Sequence, residues 1–322
     1  MHILWRLPFA AFFALSALAL AMPAGAQHYP TKPVRVITGF PGTAMDVVLR
    51  QLGERLGERW GQPVVVENRG GVGAAVAAQA TPDGYTLLQS DQTVLAVRPS
   101  LIKNLPYATL RDFAPITLVA SVPSFVVVHP SVPANDLREF IAWAKRQPNG
   151  VDFATAGPAT GGHLQAANFK TVTGVNVVPI NYKGGGAALM AIVSGETKAG
   201  VVGILLSLPY VKAGKLKAYA ITSKRRFTGA PDLPTVGESG IPELAMNNYW
   251  FGILAPVRTP AALVAKINRD IVEALQTPEL KAALQRQGAE PAPSTPEQFT
   301  AFIRSETERL RQVMHIAGIR VE

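Results

Sequence analysis

Short β-branched segments alternate along the chain with longer segments in which apolar residues recur every three or four positions. The first pair is a strand at 33–38 and, after a loop, a helix that opens at Asp46 and ends at Gly61. A strand at 151–155 leads in the same way through a glycine-rich loop into a helix that begins at His163. Alternation of this kind favours parallel sheets covered by helices, so the predicted fold class is α/β with two similar halves.

The first residues have the composition of an export signal. The apolar run from Leu7 to Met22 is shorter than the roughly 20 residues that a membrane-spanning helix needs. Ala24-Gly25-Ala26 follows it with the spacing of small residues that signal peptidase cleaves. We therefore predict a signal peptide over 1–26 and a periplasmic mature chain, with a membrane anchor as the alternative.

Composition narrows the chemistry further. The chain contains no cysteine, which excludes a disulfide framework and a thiolate site. A net charge of +9 favours anionic solutes through long-range attraction. The basic residues are nevertheless scattered, with 224–226 as the densest cluster, and the aromatic content is only 7%, so no nucleic acid partner is expected. The five histidines lack metal-ligand spacing, and we expect neither a metal nor a cofactor.

Two loops carry small residues from a strand to a helix N-terminus, one at 40–46 and one at 156–163. Backbone N–H groups at such a terminus lack internal partners and carry partial positive charge, which favours an anion. Ligands of open α/β sheets also lie at the carboxyl ends of strands. One loop from each half could therefore bind the two ends of a small anion, although a tight strand-to-helix turn is the better explanation of either loop alone.

Candidate ligand-binding residues follow from these loops and from the segments beside them. Asp46 could bind a cationic group or cap its own helix, and Asp91 could contact an amine or hydroxyl or be an exposed loop acid. His163 could donate a hydrogen bond across the cleft or be structural. The candidates in the first half are Phe40, Gly42, Thr43, Ala44, Asp46 and Asp91. Those in the second half are Ala156, Gly157, Thr160, His163, Tyr182 and Lys183.

Signatures of catalysis are incomplete. The segment 237–240 is one residue short of a G-x-S-x-G nucleophile elbow, and 71–76 lacks the last glycine of a dinucleotide fingerprint. The glycines of 157–162 have P-loop spacing without the following lysine. No catalytic residues are predicted, so we do not expect an enzyme. An exported hydrolase and an envelope interaction protein with a degenerate pocket are the alternative functions.

Several segments together resemble the Bug (TctC-like) family, the periplasmic solute receptors of tripartite tricarboxylate transporters. They include YPTKPVR at 29–35, QPVVVENR at 62–69, PDGYTLL at 82–88 and WFGILAP at 250–256. The resemblance spans the mature chain and implies a type II periplasmic binding protein with a central cleft. The expected first lobe comprises 27–125 and 250–322, and the second comprises 126–249.

The resemblance also implies a function and its partners. Family members bind carboxylates through the loops that correspond here to 40–46 and 156–163. We expect a monomer that captures a small carboxylate and presents it to membrane transporter subunits or to a sensor kinase.

Two segments depart from the family pattern. The first loop usually reads close to FPPGGPTD, whereas residues 40–46 are one residue shorter and place Met45 where a hydroxyl is expected. Many members carry acidic residues in a second-lobe segment like VDVMFD, where this chain reads KAGVV at 198–202. This difference weakens the prediction of an amino acid as the ligand, unless Asp91 faces the cleft and compensates for the missing acid.

Overall fold

A computed structural model describes residues 29–158, 160–245, 249–286 and 288–316. The predicted signal peptide at 1–26 therefore lies outside the described residues. Within them, no helix combines the length and the apolar character needed to cross a membrane. The strands are β1 Val34–Thr38, β2 Val64–Asn68, β3 Thr86–Asp91, β4 Phe113–Val122, β5 Ser124–Val128, β6 Val151–Thr155, β7 Val177–Asn181, β8 Ala199–Gly203, β9 Lys217–Ile221, β10 Tyr249–Pro256 and β11 Glu290–Pro291.

Helices cover both sheets, as the alternating pattern predicts, and a π-helical turn at Thr93–Val97 follows β3. The α-helices are α1 Ala44–Trp60, α2 Gly73–Ala78, α3 Arg98–Leu101, α4 Thr109–Asp112, α5 Leu137–Lys145, α6 Gly161–Thr173, α7 Gly185–Val193, α8 Ile204–Lys212, α9 Ala261–Leu275, α10 Pro278–Arg286 and α11 Pro296–Ile316.

The two sheets share one internal order. The first runs β11-β4-β10-β3-β1-β2 and the second runs β7-β6-β8-β5-β9. In the first sheet β1 pairs in parallel with β2 and β3, and in the second β6 pairs in parallel with β7 and β8. An antiparallel strand then follows in each sheet, β10 beside β3 and β5 beside β8. The predicted two-lobed α/β fold is thus confirmed, and each lobe below is one sheet with its helices.

The chain first passes between the sheets at Pro123. Strand β4 ends at Val122 and β5 begins at Ser124, so residues 124 and 125 pair in the second sheet although the sequence boundaries assign them to the first lobe. Tyr249 starts β10 and pairs in the first sheet, one residue before the expected return. The strand segments 113–122 and 124–128 are mostly apolar, so the hydrophobic pattern contained no turn signal between them except the proline.

Helix α1 shows why these segments form where they do. The Thr43 hydroxyl accepts a hydrogen bond from the Asp46 amide at 3.2 Å, and Gly61 closes the other end with a left-handed φ of 63°. The apolar face of the helix, including Leu52 and Leu56, is buried against the first sheet. Because Thr43 caps the helix, it begins two residues before the predicted start.

The last helix joins the two lobes. Thr295 and Gln298 form reciprocal caps of 3.2 and 3.0 Å at its start, as the sequence pattern predicts. Phe299 packs edge-on against Trp250 of β10, and Leu164 of α6 lies in the same buried cluster. Helix α11 therefore covers the first sheet and also contacts the second lobe near the start of α6.

Candidate functional site

A cavity of about 200 Å³ opens at the carboxyl ends of β1 and β3. We call it the first-lobe cavity. The Phe40 side chain is 66% exposed at its edge and lies over the Gly70 turn, where an added Cβ would be 2.9 Å from its ring. The residues that line it include Thr38, Phe40, Thr43, Met45, Gln89, Asp91, Arg98 and Tyr249.

The carboxylate of Asp46 is held entirely by its own lobe. It accepts hydrogen bonds from the Gly42 amide at 3.0 Å and from Asn68 Nδ2 at 2.9 Å. Arg50 donates to the same carboxylate through Nε and Nη2, each at 3.2 Å. Burial by itself raises the pKa of Asp46, but these donors outweigh it and hold the pKa below its usual value. Asp46 thus stabilises the loop, and neither role proposed for it from the sequence applies.

This arrangement also corrects the role expected of Gly42. Its φ of +74° turns the loop so that its N–H points at Asp46, which leaves that donor unavailable to a ligand. The Thr43 hydroxyl donates to the Phe40 carbonyl at 3.1 Å and still borders the first-lobe cavity. The Ala44 backbone begins α1, while its side chain lies outside the described atoms.

Asp91 lies at the end of β3 and lines the first-lobe cavity, so it is not an exposed loop acid. Its carboxylate accepts from the Val94 amide at 3.1 Å and from the Tyr249 hydroxyl. Burial raises the pKa of Asp91 despite these bonds, and burial together with Asp91 raises the pKa of Tyr249. The pair closes one side of the cavity.

In the second-lobe loop, the groups that could donate hydrogen bonds to a ligand are backbone amides. The Thr160 hydroxyl donates to the Gly157 carbonyl at 2.7 Å and does not cap α6, although Thr160 precedes that helix. The amides of Gly161 and Gly162 have no acceptor within the described parts of the chain. Ala156 contributes its carbonyl to the Gly184 amide at 3.3 Å. An uncapped helix N-terminus therefore remains at this loop.

The other second-lobe candidates lie away from the first-lobe cavity. His163 is half-buried in a separate groove of about 410 Å³ that Lys170 and Pro179 also line, and burial lowers its pKa. The Tyr182 hydroxyl donates to Glu196 at 2.8 Å, and Lys183 is exposed. None of these three side chains lines the first-lobe cavity.

Gln92 of the first lobe lies against the loop at 156–163 of the second lobe. It lies between Asp91 and Thr93, which both line the first-lobe cavity, and its side chain is 4% exposed. A Cβ added to Gly161 would lie 3.6 Å from Gln92 Nε2, and Gln92 Oε1 has no hydrogen-bond partner within the described structure. The segment that lines the cavity at Asp91 and Thr93 thus also contacts the N-terminus of α6 through Gln92.

Sequence reasoning missed several polar residues of the cavity, among them Gln89 and Arg98. No spacing rule pointed to them, because they reach the cavity through the fold of β3 and the helical turns after it. The turn at 70–73 did carry a signal, since it is a third glycine-rich strand-to-helix loop. Across the described ranges, no group of three or more histidine, aspartate or glutamate side chains could hold a metal ion.

The chain is similar to one protein family, to its relatives and to solved structures. The family model described as "Tripartite tricarboxylate transporter family receptor" matches residues 48–319. Protein BugT of Bordetella pertussis is 36% identical over 314 residues, with 96% of each chain covered. A solved periplasmic transporter is 36% identical with a TM-score of 0.75, covering 91% of this chain and 100% of that chain.

Two further solved structures contain ligands. An R. palustris protein solved with adipate is 28% identical with a TM-score of 0.76, covering 91% of this chain and 100% of its own. MatC of Rhodopseudomonas palustris, solved with malate, is 28% identical with a TM-score of 0.70, covering 88% of this chain and 99% of its own.

Proposed function

Since this chain belongs to the TctC family of tripartite tricarboxylate transporter receptors, we propose that it captures a small carboxylate between its lobes. Members of the family are solute-binding receptors, so the chain is a receptor and not an enzyme. The ligand would lie between the first-lobe cavity and the N-terminus of α6.

One observation carries the proposal. The amides of Gly161 and Gly162 have no acceptor among the described residues, and Gln92, the neighbour in sequence of the cavity-lining Asp91, lies beside that helix end. Such a helix end binds anions because its N–H groups lack partners and its dipole favours negative charge. Adipate and malate in two similar proteins support a carboxylate as the anion.

The proposed role also includes export of the chain to the periplasm and delivery of its ligand to a membrane partner. The small-residue pattern at 24–26 would release the mature chain into the periplasm, where closed lobes would present a surface to membrane transporter subunits or to a sensor kinase. Closure stabilises the complex only if the ligand binds the closed form more tightly than the open form.

Thermal denaturation of the mature chain, with and without candidate solutes, tests this function. The panel contains monocarboxylates, dicarboxylates, aromatic acids and amino acids. A ligand at 100 times its Kd should raise the free energy of unfolding by about 2.7 kcal/mol. Absence of stabilisation by every carboxylate would contradict the proposal, and chemical turnover of any of them would indicate an enzyme.

A further inference from the structure

Arg98 brings a positive charge into the first-lobe cavity without an ion-pair partner. Its Nη1 donates to the Gly71 carbonyl at 3.1 Å, and the guanidinium also contacts the Tyr107 hydroxyl. Within the described structure no carboxylate oxygen lies within 4.0 Å of its nitrogens. A guanidinium has five N–H donors, so part of the fork remains available to a guest in the cavity.

Gln89 supplies a second, independent side-chain donor at the same cavity. Its side chain is 0% exposed and lines the same cavity. Oε1 accepts from the Thr38 hydroxyl at 2.9 Å, whereas Nε2 has no acceptor in the described structure. Buried amide donors are rarely left unpaired in folded proteins, because the lost hydration is not replaced.

Asp91, the acid in the cavity, attracts Arg98 electrostatically but forms no direct ion pair with it in the described structure. Asp91 is committed to the Val94 amide and the Tyr249 hydroxyl, and its carboxylate lies beyond ion-pair distance from the guanidinium. Among the described residues that line the cavity, Arg98 is the only one with a cationic side chain. Arginine favours carboxylates in particular, since its planar fork matches their two oxygens.

We propose that Arg98 and Gln89 form a subsite for the second carboxylate of a two-headed acid, whose first carboxylate binds at the N-terminus of α6. The inference rests on the proposed function and adds the specificity-determining residues. A volume of about 200 Å³ corresponds to roughly seven water molecules, enough for a carboxylate and one or two methylenes. The receptor accordingly selects dicarboxylates over monocarboxylates of the same length.

Isothermal titration calorimetry with matched pairs of acids tests the subsite. The pairs are succinate with butyrate, glutarate with pentanoate, and adipate with hexanoate. Wild-type protein should prefer at least one dicarboxylate over its partner by tenfold or more. Arg98→Met should weaken that dicarboxylate at least tenfold and change the monocarboxylate less than threefold, while Gln89→Met should give a smaller loss of the same kind. The matched control is Arg111→Met, which removes a 72% exposed arginine paired with its neighbour Asp112.

The other possible results separate a failure of the subsite from a failure of the proposed function. If Arg98→Met weakens both acids of a pair equally, or leaves the preference intact, the subsite is wrong while the proposed function stands. If no acid binds the wild-type protein, both fail. Should Arg98→Met not fold, Arg98→Lys keeps the charge without the fork and should lose part of the dicarboxylate preference; an unchanged preference would overturn the subsite.

Discussion

Gln92 of the first lobe lies against Gly161 of the second, with Nε2 at 3.6 Å from the position that a Cβ on Gly161 would occupy. The two lobes therefore contact each other at the start of α6. Gly161 is the first residue of the helix, and its φ is not left-handed, so a larger side chain should fit the backbone without strain.

We expect Gly161→Leu to weaken carboxylate binding at least tenfold, because the new side chain would occupy the space beside the free amides. The protein should stay folded, because the Gly161 backbone is not left-handed and leucine is a better helix former than glycine by up to about 1 kcal/mol. Calorimetry measures the affinity, and urea unfolding measures the stability. Ala262→Leu is the control, since it adds the same bulk to the exposed first turn of α9. Unchanged affinity in Gly161→Leu would remove the α6 N-terminus from the ligand site.

Asp46→Asn should destabilise the protein in a pH-dependent manner. The folded-state pKa of Asp46 lies below its usual value, so its carboxylate stabilises the fold above about pH 4 and loses that effect as the pH falls through the folded-state pKa. Removing the charge should lower the free energy of unfolding by about 1–3 kcal/mol at pH 7. Urea unfolding at pH 7 and pH 3 should show the difference between wild type and variant shrinking at the lower pH.

Glu54→Gln is the control for this titration, because Glu54 lies on the same helix and is exposed. It should leave the free energy of unfolding nearly unchanged at both pH values. If the free energies of unfolding of Asp46→Asn and wild type differ by the same amount at every pH, the shape of the side chain and not its charge explains the effect.

Gly252→Ala should be strongly destabilising although it adds a single methyl group. A Cβ there would lie 2.2 Å from Phe299 Cζ and 2.7 Å from the Thr117 carbonyl oxygen. Overpacking of this kind costs about 1–3 kcal/mol in a well-packed core. Since Phe299 belongs to α11, the substitution should loosen that helix from the first sheet, which urea unfolding would detect as a lower midpoint.

A double-mutant cycle with Phe299→Leu tests the cause. Shortening the ring removes one of the two clashes, so the double variant should lose less stability than the sum of the single variants. Simple additivity would show that the backbone oxygen of Thr117 alone causes the destabilisation.

Much of the fold could be predicted because its signals are local. The apolar face and the Gly61 end of α1 follow from residues within a few positions of one another, as does the capping pair of Thr295 and Gln298. The point where the chain passes between the sheets was harder to predict from the sequence. Pro123 separates two largely apolar strands, and only their pairing partners show to which sheet each belongs.

The loops at 40–46 and 156–163 were identified correctly as strand-to-helix connections, since glycine and proline mark them directly. Which of their groups remain available for a ligand could not be predicted. The Gly42 amide is bound by Asp46, whose position depends on Asn68, and Arg98 reaches the cavity from a different segment.

By itself, the sequence determined where strands, helices and turns lie, because hydrophobic periodicity and capping act over a few neighbouring residues. The tertiary structure alone decided which donors and charges are already paired, because their partners come from segments far apart in the chain. Within the described residues, the α6 amides without an acceptor and the Arg98 guanidinium without an ion pair are therefore properties of the folded protein that no local pattern contains.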